Sequence, residues 1–199
     1  MYSTRPNLLL GFHGCEREEQ TKLLGNPGYF RKSKNSYDWL GHGMYFWENN
    51  QARAMDWAKM KNKSGSIKEP AVIGAVIDLG LCLDLFDSDN LELLKGHYYL
   101  LEKETDRGLP KNIKHPSETG DDKILRYLDC AVIEYLHSFS SLSKLQPFDS
   151  VKAAFLEGMP LYPGAGFRDK THVQICVRNP NCIKGFFLPR NEDAGFTPV

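Results

Sequence analysis

Leu8-Leu9-Leu10-Gly11-Phe12-His13-Gly14-Cys15 is an apolar run with the length of a β-strand, and it leads into a polar side chain followed by a glycine. Because glycine has no Cβ, a ligand can approach the backbone at Gly14. The run therefore predicts a strand that presents His13 and an open stretch of backbone to a binding site.

A second segment, Gly41-His42-Gly43-Met44-Tyr45-Phe46-Trp47-Glu48, places two glycines before a short aromatic strand. The residues that follow it predict a helix through Trp57, with Asn49 or Asn50 as its N-cap. Tyr45 is the polar aromatic residue of this strand and a candidate for ligand contact.

The third segment is His172-Val173-Gln174-Ile175-Cys176-Val177-Arg178, in which apolar and polar residues alternate. A period of two places Gln174 on the face opposite the apolar residues Val173, Ile175 and Val177. The segment thus predicts a half-polar strand.

The remaining elements follow from periodicity. We expect helices over 16–24, 90–103 and 121–139, strands over 71–79, 151–156 and 183–188, a helical turn near 38–40, and loops elsewhere. Strands precede and follow the helices instead of alternating with them in βαβ units, which favours one α+β domain over residues 1–199 and argues against a Rossmann sheet. The sequence contains no GxGxxG fingerprint and no P-loop.

Composition narrows the function classes. The chain has 199 residues, 41% of them hydrophobic, which suffices for one sizeable core. Its 25 basic and 25 acidic residues cancel, so no strong field attracts nucleic acid. We see neither a signal segment nor an apolar stretch near the roughly 20 residues needed to cross a bilayer, and expect a cytoplasmic protein. The five cysteines form no CxxC pair and indicate neither a disulfide framework nor a zinc site.

In this order the three segments resemble the ADP-ribosyltransferase superfamily, in particular the branch with a His-Tyr-Glu signature that includes diphtheria-toxin-like toxins and poly(ADP-ribose) polymerases. His13-Gly14 matches its His-Gly pair, Gly43-Met44-Tyr45-Phe46 matches its glycine-rich stretch before a helix, and the strand of Gln174 matches the strand with the acidic residue. Glutamine replaces the usual glutamate, as in some bacterial relatives. The resemblance covers most of the chain and implies a split β-sandwich, with helices packed around two small sheets and NAD bound between them as co-substrate without a metal.

The resemblance also implies roles for individual residues. His13 would hydrogen-bond a ribose hydroxyl of NAD, the backbone of Gly14 would bind the carboxamide, and Tyr45 would stack on the nicotinamide ring. Three more residues belong to the implied NAD site: Gly43, Cys15 at a position where a hydroxyl is common, and Trp57, one residue from the place of a second stacking aromatic. Each also has a structural interpretation, since a histidine after a strand is often hydrogen-bonded within the fold and an aromatic strand residue often lies in the core.

Gln174 determines which mechanism is expected. A carboxylate there can stabilise the cation-like ribose and help deprotonate an acceptor, whereas an amide can orient groups but cannot act as a general base. We therefore expect Gln174 to position the ribose. His172, two positions earlier on the same face, is the candidate base.

The loop Leu161–Arg168 corresponds by position to the target-recognition loop of such transferases, and Tyr162, Phe167 and Arg168 are its candidate acceptor contacts. Protein, RNA and DNA all remain open as acceptors. A mixed basic and aromatic segment would suit a nucleic acid through stacking and charge: Tyr29, Arg31, Lys32, Tyr37 and Trp39.

Three functions are compatible with these residues. The first is a mono-ADP-ribosyltransferase that modifies a macromolecule, as the toxin of a toxin–antitoxin or phage-defence system with an antitoxin protein as partner. The second is an NAD glycohydrolase that uses water as acceptor. The third is a non-catalytic module that binds NAD or ADP-ribose.

Overall fold

The computed structural model describes residues 8–26, 28–106, 108–114, 123–190 and 195–197. Its elements are, in chain order, β1 Leu8–Glu16, α1 Arg17–Gly25, β2 Met44–Glu48, α2 Gln51–Lys63, β3 Pro70–Asp78, β4 Cys82–Asp84, α3 Ser88–Glu104, α4 Tyr127–Leu142, β5 Ser150–Phe155, β6 His172–Val177, a 3₁₀ turn Pro180–Cys182, and β7 Ile183–Phe187. The predicted α+β class is confirmed. None of the helices described is long and apolar enough to cross a bilayer.

The strands of the described residues form one seven-stranded sheet in the order β4-β5-β6-β2-β1-β3-β7. Neighbours are antiparallel except β4 and β5, which run parallel. The expected separation into two small sheets is therefore wrong in detail, because β2 pairs with both β1 and β6 and hydrogen bonding is continuous.

The junction between β1 and β2 is nevertheless narrow. These strands pair at two positions, Gly11 with Glu48 and Phe12 with Trp47, whereas β1 pairs with β3 along its whole length. The sheet thus consists of a four-stranded part and a three-stranded part that share one short contact.

Both faces of the sheet are covered, and successive strand residues alternate between them. On one face α1 contributes Leu23 to a core with Met44, Phe46, Ile73, Ile77, Ile175 and Val177. On the other face α4 contributes Ile133 and Leu136 to a core with Leu83, Val151 and Cys176, and α2 packs Ala54 against Trp47 and Val72. Tyr45 and Gln174 therefore lie on the face that α2 and α4 cover.

The helix α2 begins as predicted, because the Asn50 side chain accepts a hydrogen bond from the backbone N–H of Arg53 at 3.0 Å. The helix expected over 121–139 begins later, at Tyr127. Residues 121 and 122 lie outside the described residues, and Leu125 instead pairs with Ile113 through two backbone hydrogen bonds of 2.9 and 3.1 Å. This extended pairing excludes helical hydrogen bonding at Leu125.

One further prediction is met only in part, and one strand was not predicted. The segment 38–40 forms a single turn and no helix: the N–H of Gly41 donates to the carbonyl of Asp38 at 3.3 Å, and Trp39 forms a bridge with Gly41. The Asp38 carboxylate accepts hydrogen bonds from Ser33 and Asn35. The strand β4 was not predicted, since a strand of three residues shows no periodicity.

Candidate functional site

His13 lies where the pairing of β1 and β2 ends. Its Nδ1 is 2.8 Å from the carbonyl oxygen of Tyr45, and because a carbonyl only accepts, Nδ1 carries the proton and Nε2 has a free lone pair. The ring is 5.8 Å from that of Phe46, and burial lowers the pKa of His13 below its ordinary value. The imidazole is therefore neutral at physiological pH and held in one orientation.

The side chain of Tyr45 is held by the loop that precedes its own strand. Its hydroxyl donates to the carbonyl of Gly41 at 2.6 Å and accepts from the N–H of Leu40 at 2.8 Å, and burial raises its pKa well above the ordinary value. The Tyr45 ring packs against the core that contains Leu40 and Cys176. His13 belongs to the opposite face, beside Phe46, so the two signature side chains are joined through the Tyr45 carbonyl and not through their rings.

An ion pair between Glu134 of α4 and Arg178 also holds this loop. The carboxylate of Glu134 accepts from the N–H of His42 at 2.8 Å, lies 3.2 Å from its Nδ1, and forms an ion pair with Arg178, which also donates to the carbonyl of His42 at 3.0 Å. Burial alone would raise the pKa of Glu134, but the hydrogen bonds from Arg178 and His42 outweigh it and the pKa lies below its ordinary value. Glu134 was not predicted as a site residue, although a carboxylate next to the apolar positions of α4 is a signal in the sequence.

The glycines of the signature permit close packing within the fold. A Cβ added at Gly14 would collide with the carbonyl oxygen of Ala54 in α2 and lie 3.3 Å from Trp57, and one added at Gly43 would collide with the sulfur of Cys176. Helix α2 thus occupies the space that a ligand was expected to enter beside Gly14. Both glycines are needed for packing, whatever ligand the protein binds.

Cys15 faces the core below α1. It is buried beside Leu23, and burial raises the pKa of its thiol to about 12. The described cysteines are all free thiols, and no group of three His, Cys, Asp or Glu side chains in the described ranges is placed to hold a metal ion.

Gln174 lies opposite Trp47 of β2 and Ala153 of β5. It is 9% exposed, and its side-chain amide makes no hydrogen bond to any other described residue. The indole Nε1 of Trp47 is also buried and finds no hydrogen-bond partner within the described residues, and the ring of Trp57 packs 5.9 Å from that of Trp47. An amide and an indole N–H are thus available side by side.

His172 occupies the same face of β6, two residues before Gln174. Its Nδ1 lies 2.6 Å from the carbonyl oxygen of Lys170 and must donate to it, so Nε2 carries the lone pair, and this atom is buried without a partner. The pKa of His172 is lowered to about 4, chiefly by burial and in smaller part by the charges of Arg53 and Arg126. The ring is therefore neutral, and the approach of Glu157 to within 3.7 Å of Nδ1 is not an ion pair.

Two arginines border this position. Arg53 pairs with Glu157 at 3.0 Å, and Arg126 pairs with Asp129 at 3.2 Å. The guanidinium of Arg126 lies 4.5 Å from the ring of Trp39 and 4.9 Å from that of Phe155, and both rings also contact His172. In the part of the chain that the structure describes, the Nε atoms of the two arginines are buried without a hydrogen-bond partner.

We call Trp47, Arg53, Arg126, His172 and Gln174 the Gln174 site. In the described part of the chain six buried side-chain nitrogen or oxygen atoms lack a hydrogen-bond partner, and four of them belong to this site, on Trp47, Arg53, Arg126 and His172. Since buried polar groups are nearly always hydrogen-bonded, their concentration at one place is typical of a site that a ligand completes. Guanidinium groups beside aromatic rings can bind anionic and planar groups of a ligand, although each of these two is already paired with one carboxylate.

A cavity of about 490 Å³ adjoins the Gln174 site, between α3, α4 and β5. Trp39, Arg126 and Phe155 line both the cavity and the surroundings of His172. Its volume lies within the range of about 300–1,000 Å³ that small-molecule sites occupy.

The structure brings some of the predicted residues together and separates others. Gln174 and His172 share one face, and Trp57 contacts it through Trp47. His13 lies beyond the β1–β2 junction on the other face. The acceptor candidates lie on the loop between β5 and β6: Tyr162, Phe167 and Arg168. Trp47, Arg53 and Arg126 were not predicted as site residues, because their positions depend on the tertiary fold.

No protein-family model, no curated protein and no solved structure matches this chain.

Proposed function

We propose that the protein is an NAD-dependent mono-ADP-ribosyltransferase that modifies a macromolecular acceptor. The observation that supports this most is the Gln174 site, where the Gln174 amide lies beside the Trp47 indole N–H and the His172 Nε2, two buried atoms without a hydrogen-bond partner among the described residues, with Arg53 and Arg126 close by. The motif resemblance of His13-Gly14 and Gly43–Phe46 supports the same proposal independently of that geometry.

The reaction requires positioning more than covalent catalysis. The bond between C1′ of the ribose and the nicotinamide nitrogen breaks, nicotinamide leaves with the bonding electron pair, and an acceptor atom forms the new bond to C1′ and releases its proton. The transition state carries positive charge on the ribose, so preorganised dipoles stabilise it. The Gln174 amide supplies an oxygen for a ribose hydroxyl or the developing charge, and Arg53 and Arg126 suit the diphosphate.

His172 takes the acceptor proton on Nε2 in this proposal. Its pKa of about 4 makes it a weak base, since proton transfer is most efficient when the pKa lies near the working pH. A weak base and an amide at position 174 together favour an acceptor that is already nucleophilic. The same combination is compatible with slow hydrolysis of NAD.

The proposal is tested with purified protein, labelled NAD and a bacterial lysate, comparing wild type with Gln174→Ala and with Gln51→Ala as a control at an exposed position of α2. We expect label on macromolecules and free nicotinamide with wild type and Gln51→Ala, and neither with Gln174→Ala. Free ADP-ribose without macromolecular label would instead identify a glycohydrolase. Binding of NAD without its consumption would identify a non-catalytic module.

We also propose that the activity serves as the toxin of a toxin–antitoxin or phage-defence system. Support comes from the motif resemblance alone. Induced expression of wild type in bacteria should then arrest growth, and Gln174→Ala should relieve the arrest. Normal growth on expression of a protein that is active in vitro would contradict this role.

A further inference from the structure

The cavity of about 490 Å³ beside the Gln174 site has walls from two helices and the sheet. The helix α3 turns one side toward it, with positions spaced by three and four residues: Leu91, Leu94, Lys95 and Tyr98. The helix α4 lines it with one face: Leu128, Asp129, Val132 and Ile133. Between the helices β5 contributes Ala153 and Ala154, whose methyl groups leave the space between helices and sheet unfilled.

The cavity is open at one end and closed at the other. Phe86, which follows β4, is 56% exposed and Leu91 of α3 is 46% exposed, so these residues lie at the mouth. Val132 and Ile133 of α4 are buried and belong to the closed end. A ligand can therefore enter beside the start of α3 without displacing the core.

Most of the lining is apolar, and its charged side chains are Lys95, Arg126 and Asp129. The polar atoms of the two polar aromatic residues are used elsewhere. The Nε1 of Trp39 donates to the carbonyl of Ile124 at 2.7 Å, and the hydroxyl of Tyr98 donates to Glu102 at 2.8 Å. An apolar wall with a few placed polar groups is typical of a small-molecule site.

The guanidinium of Arg126 has hydrogen-bonding capacity left. Its Nη1 donates to the Asp129 carboxylate at 3.2 Å, and no other hydrogen bond joins the guanidinium to a described residue. A guanidinium offers five N–H donors, of which those on Nε and Nη2 form a fork that matches a carboxylate. The Asp129 carboxylate, in contrast, is engaged on both oxygens, because it also accepts from Asn112 at 2.7 Å. A second carboxylate in the cavity would supply the acceptor that the Arg126 Nε lacks.

Lys95 adds a second positive charge to the lining. It pairs with Glu92 at 3.1 Å, and the two side chains are 56% and 71% exposed. An ion pair this exposed contributes little stability, so the ammonium group can turn to a ligand instead. With two cations and one anion, the lining as a whole favours an anionic ligand.

From this combination we infer that the cavity binds an apolar molecule with one carboxylate, such as a medium-chain fatty acid, with the carboxylate on Arg126 and the apolar part between α3 and α4. A fully apolar ligand would leave the Arg126 Nε without an acceptor, and a polyanion would be buried against leucine side chains at a high cost in desolvation. Arg126 also borders the Gln174 site, so a carboxylate in the cavity and a diphosphate at that site compete for one guanidinium. The cavity ligand is a separate molecule, and its binding does not depend on the proposed transferase function.

The test is calorimetric titration of the purified full chain with decanoate, without NAD and below the concentration at which decanoate forms micelles. Decanamide, which keeps the chain and lacks the charge, is titrated in parallel. The variant Leu91→Asp places a carboxylate at the mouth of the cavity. Leu100→Asp is the matched control, since Leu100 lies on the same helix, is 39% exposed and does not line the cavity. Circular dichroism establishes that both variants are folded.

We expect saturable binding of decanoate to wild type, and binding of decanamide at least about tenfold weaker because the charge-assisted hydrogen bonds to the guanidinium are lost. Leu91→Asp should weaken decanoate binding about tenfold or more through repulsion and lost apolar contact, whereas Leu100→Asp should bind as wild type does. Equal affinity for decanoate and decanamide would overturn the assignment of the carboxylate to Arg126. Unchanged binding by folded Leu91→Asp, or no saturable binding by wild type, would overturn the site itself. No outcome depends on consumption of NAD, so failure of this inference and failure of the proposed function are distinguishable.

Discussion

The carboxylate of Glu134 offers the sharpest test of how much the ion pair with Arg178, which holds the loop before Tyr45, contributes to stability. Glu134→Ala removes the acceptor of the His42 N–H and leaves the guanidinium of Arg178, 16% exposed, without its carboxylate. Breaking a buried ion pair by removing one partner costs about 3–5 kcal/mol. Because the Glu134 side chain is 26% exposed, solvent relieves part of this cost and we expect about 2–3 kcal/mol.

The measurement is urea denaturation followed by circular dichroism. With a slope of about 2 kcal/mol per M, the transition midpoint should fall by about 1 M. Glu134→Gln is the control, since its amide oxygen can still accept from His42 while the charge is lost, and we expect about half the destabilisation. A midpoint within about 0.2 M of wild type for Glu134→Ala would refute the reasoning, because it would mean that the pair contributes nothing.

The pH dependence of stability follows from the same ion pair between Glu134 and Arg178. The pKa of Glu134 is lower in the folded protein than its ordinary value, so its stabilising contribution is present above the ordinary carboxyl pKa and is lost as pH falls through the lower, folded value. The stability difference between wild type and Glu134→Gln should therefore be full at pH 7 and disappear in strong acid.

Three more outcomes are expected. Gln174→Glu should raise transfer at least about tenfold, measured as nicotinamide release with lysate, because a carboxylate adds a stronger proton acceptor beside the weak base His172; an unchanged rate would contradict the proposal that the amide at position 174 limits turnover. The rate should be independent of His172 titration between pH 5 and 9 and fall only as pH approaches the pKa of about 4, where a decline centred near pH 6.5 would contradict the burial of this ring. Gly14→Ala should cost about 1–3 kcal/mol in urea denaturation because its Cβ meets the carbonyl of Ala54, whereas Gly25→Ala, where a Cβ meets nothing within 4 Å, should be nearly neutral.

Local patterns predicted the strands on which the signature residues lie. The apolar run before His13 and the alternation around Gln174 correspond to β1 and β6 within one or two residues, and Asn50 caps α2 as its side chain and position suggested. These features are encoded by neighbours in sequence, through side-chain period and capping chemistry.

Features that depend on distant residues were not predictable. Glu134 and Arg178 meet across 44 positions, and Trp39 bonds Ile124 across 85. Arg126 was assigned to the interior of a helix, whereas in the structure it precedes α4 and lies over Trp39. The continuous sheet likewise depends on the pairing of β2 with β6, which no local sequence pattern indicates.

The strand order has a consequence for synthesis on the ribosome. β6 lies between β5 and β2 in the sheet although it is sixth of the seven strands along the chain, so β4 and β5 have no place beside β2 until residues 172–177 have emerged. Domains fold as their segments leave the exit tunnel, and contacts between distant segments form late. The Gln174 site is therefore unassembled while the preceding strands emerge, so any activity of this site begins only after residues 172–177 have left the exit tunnel.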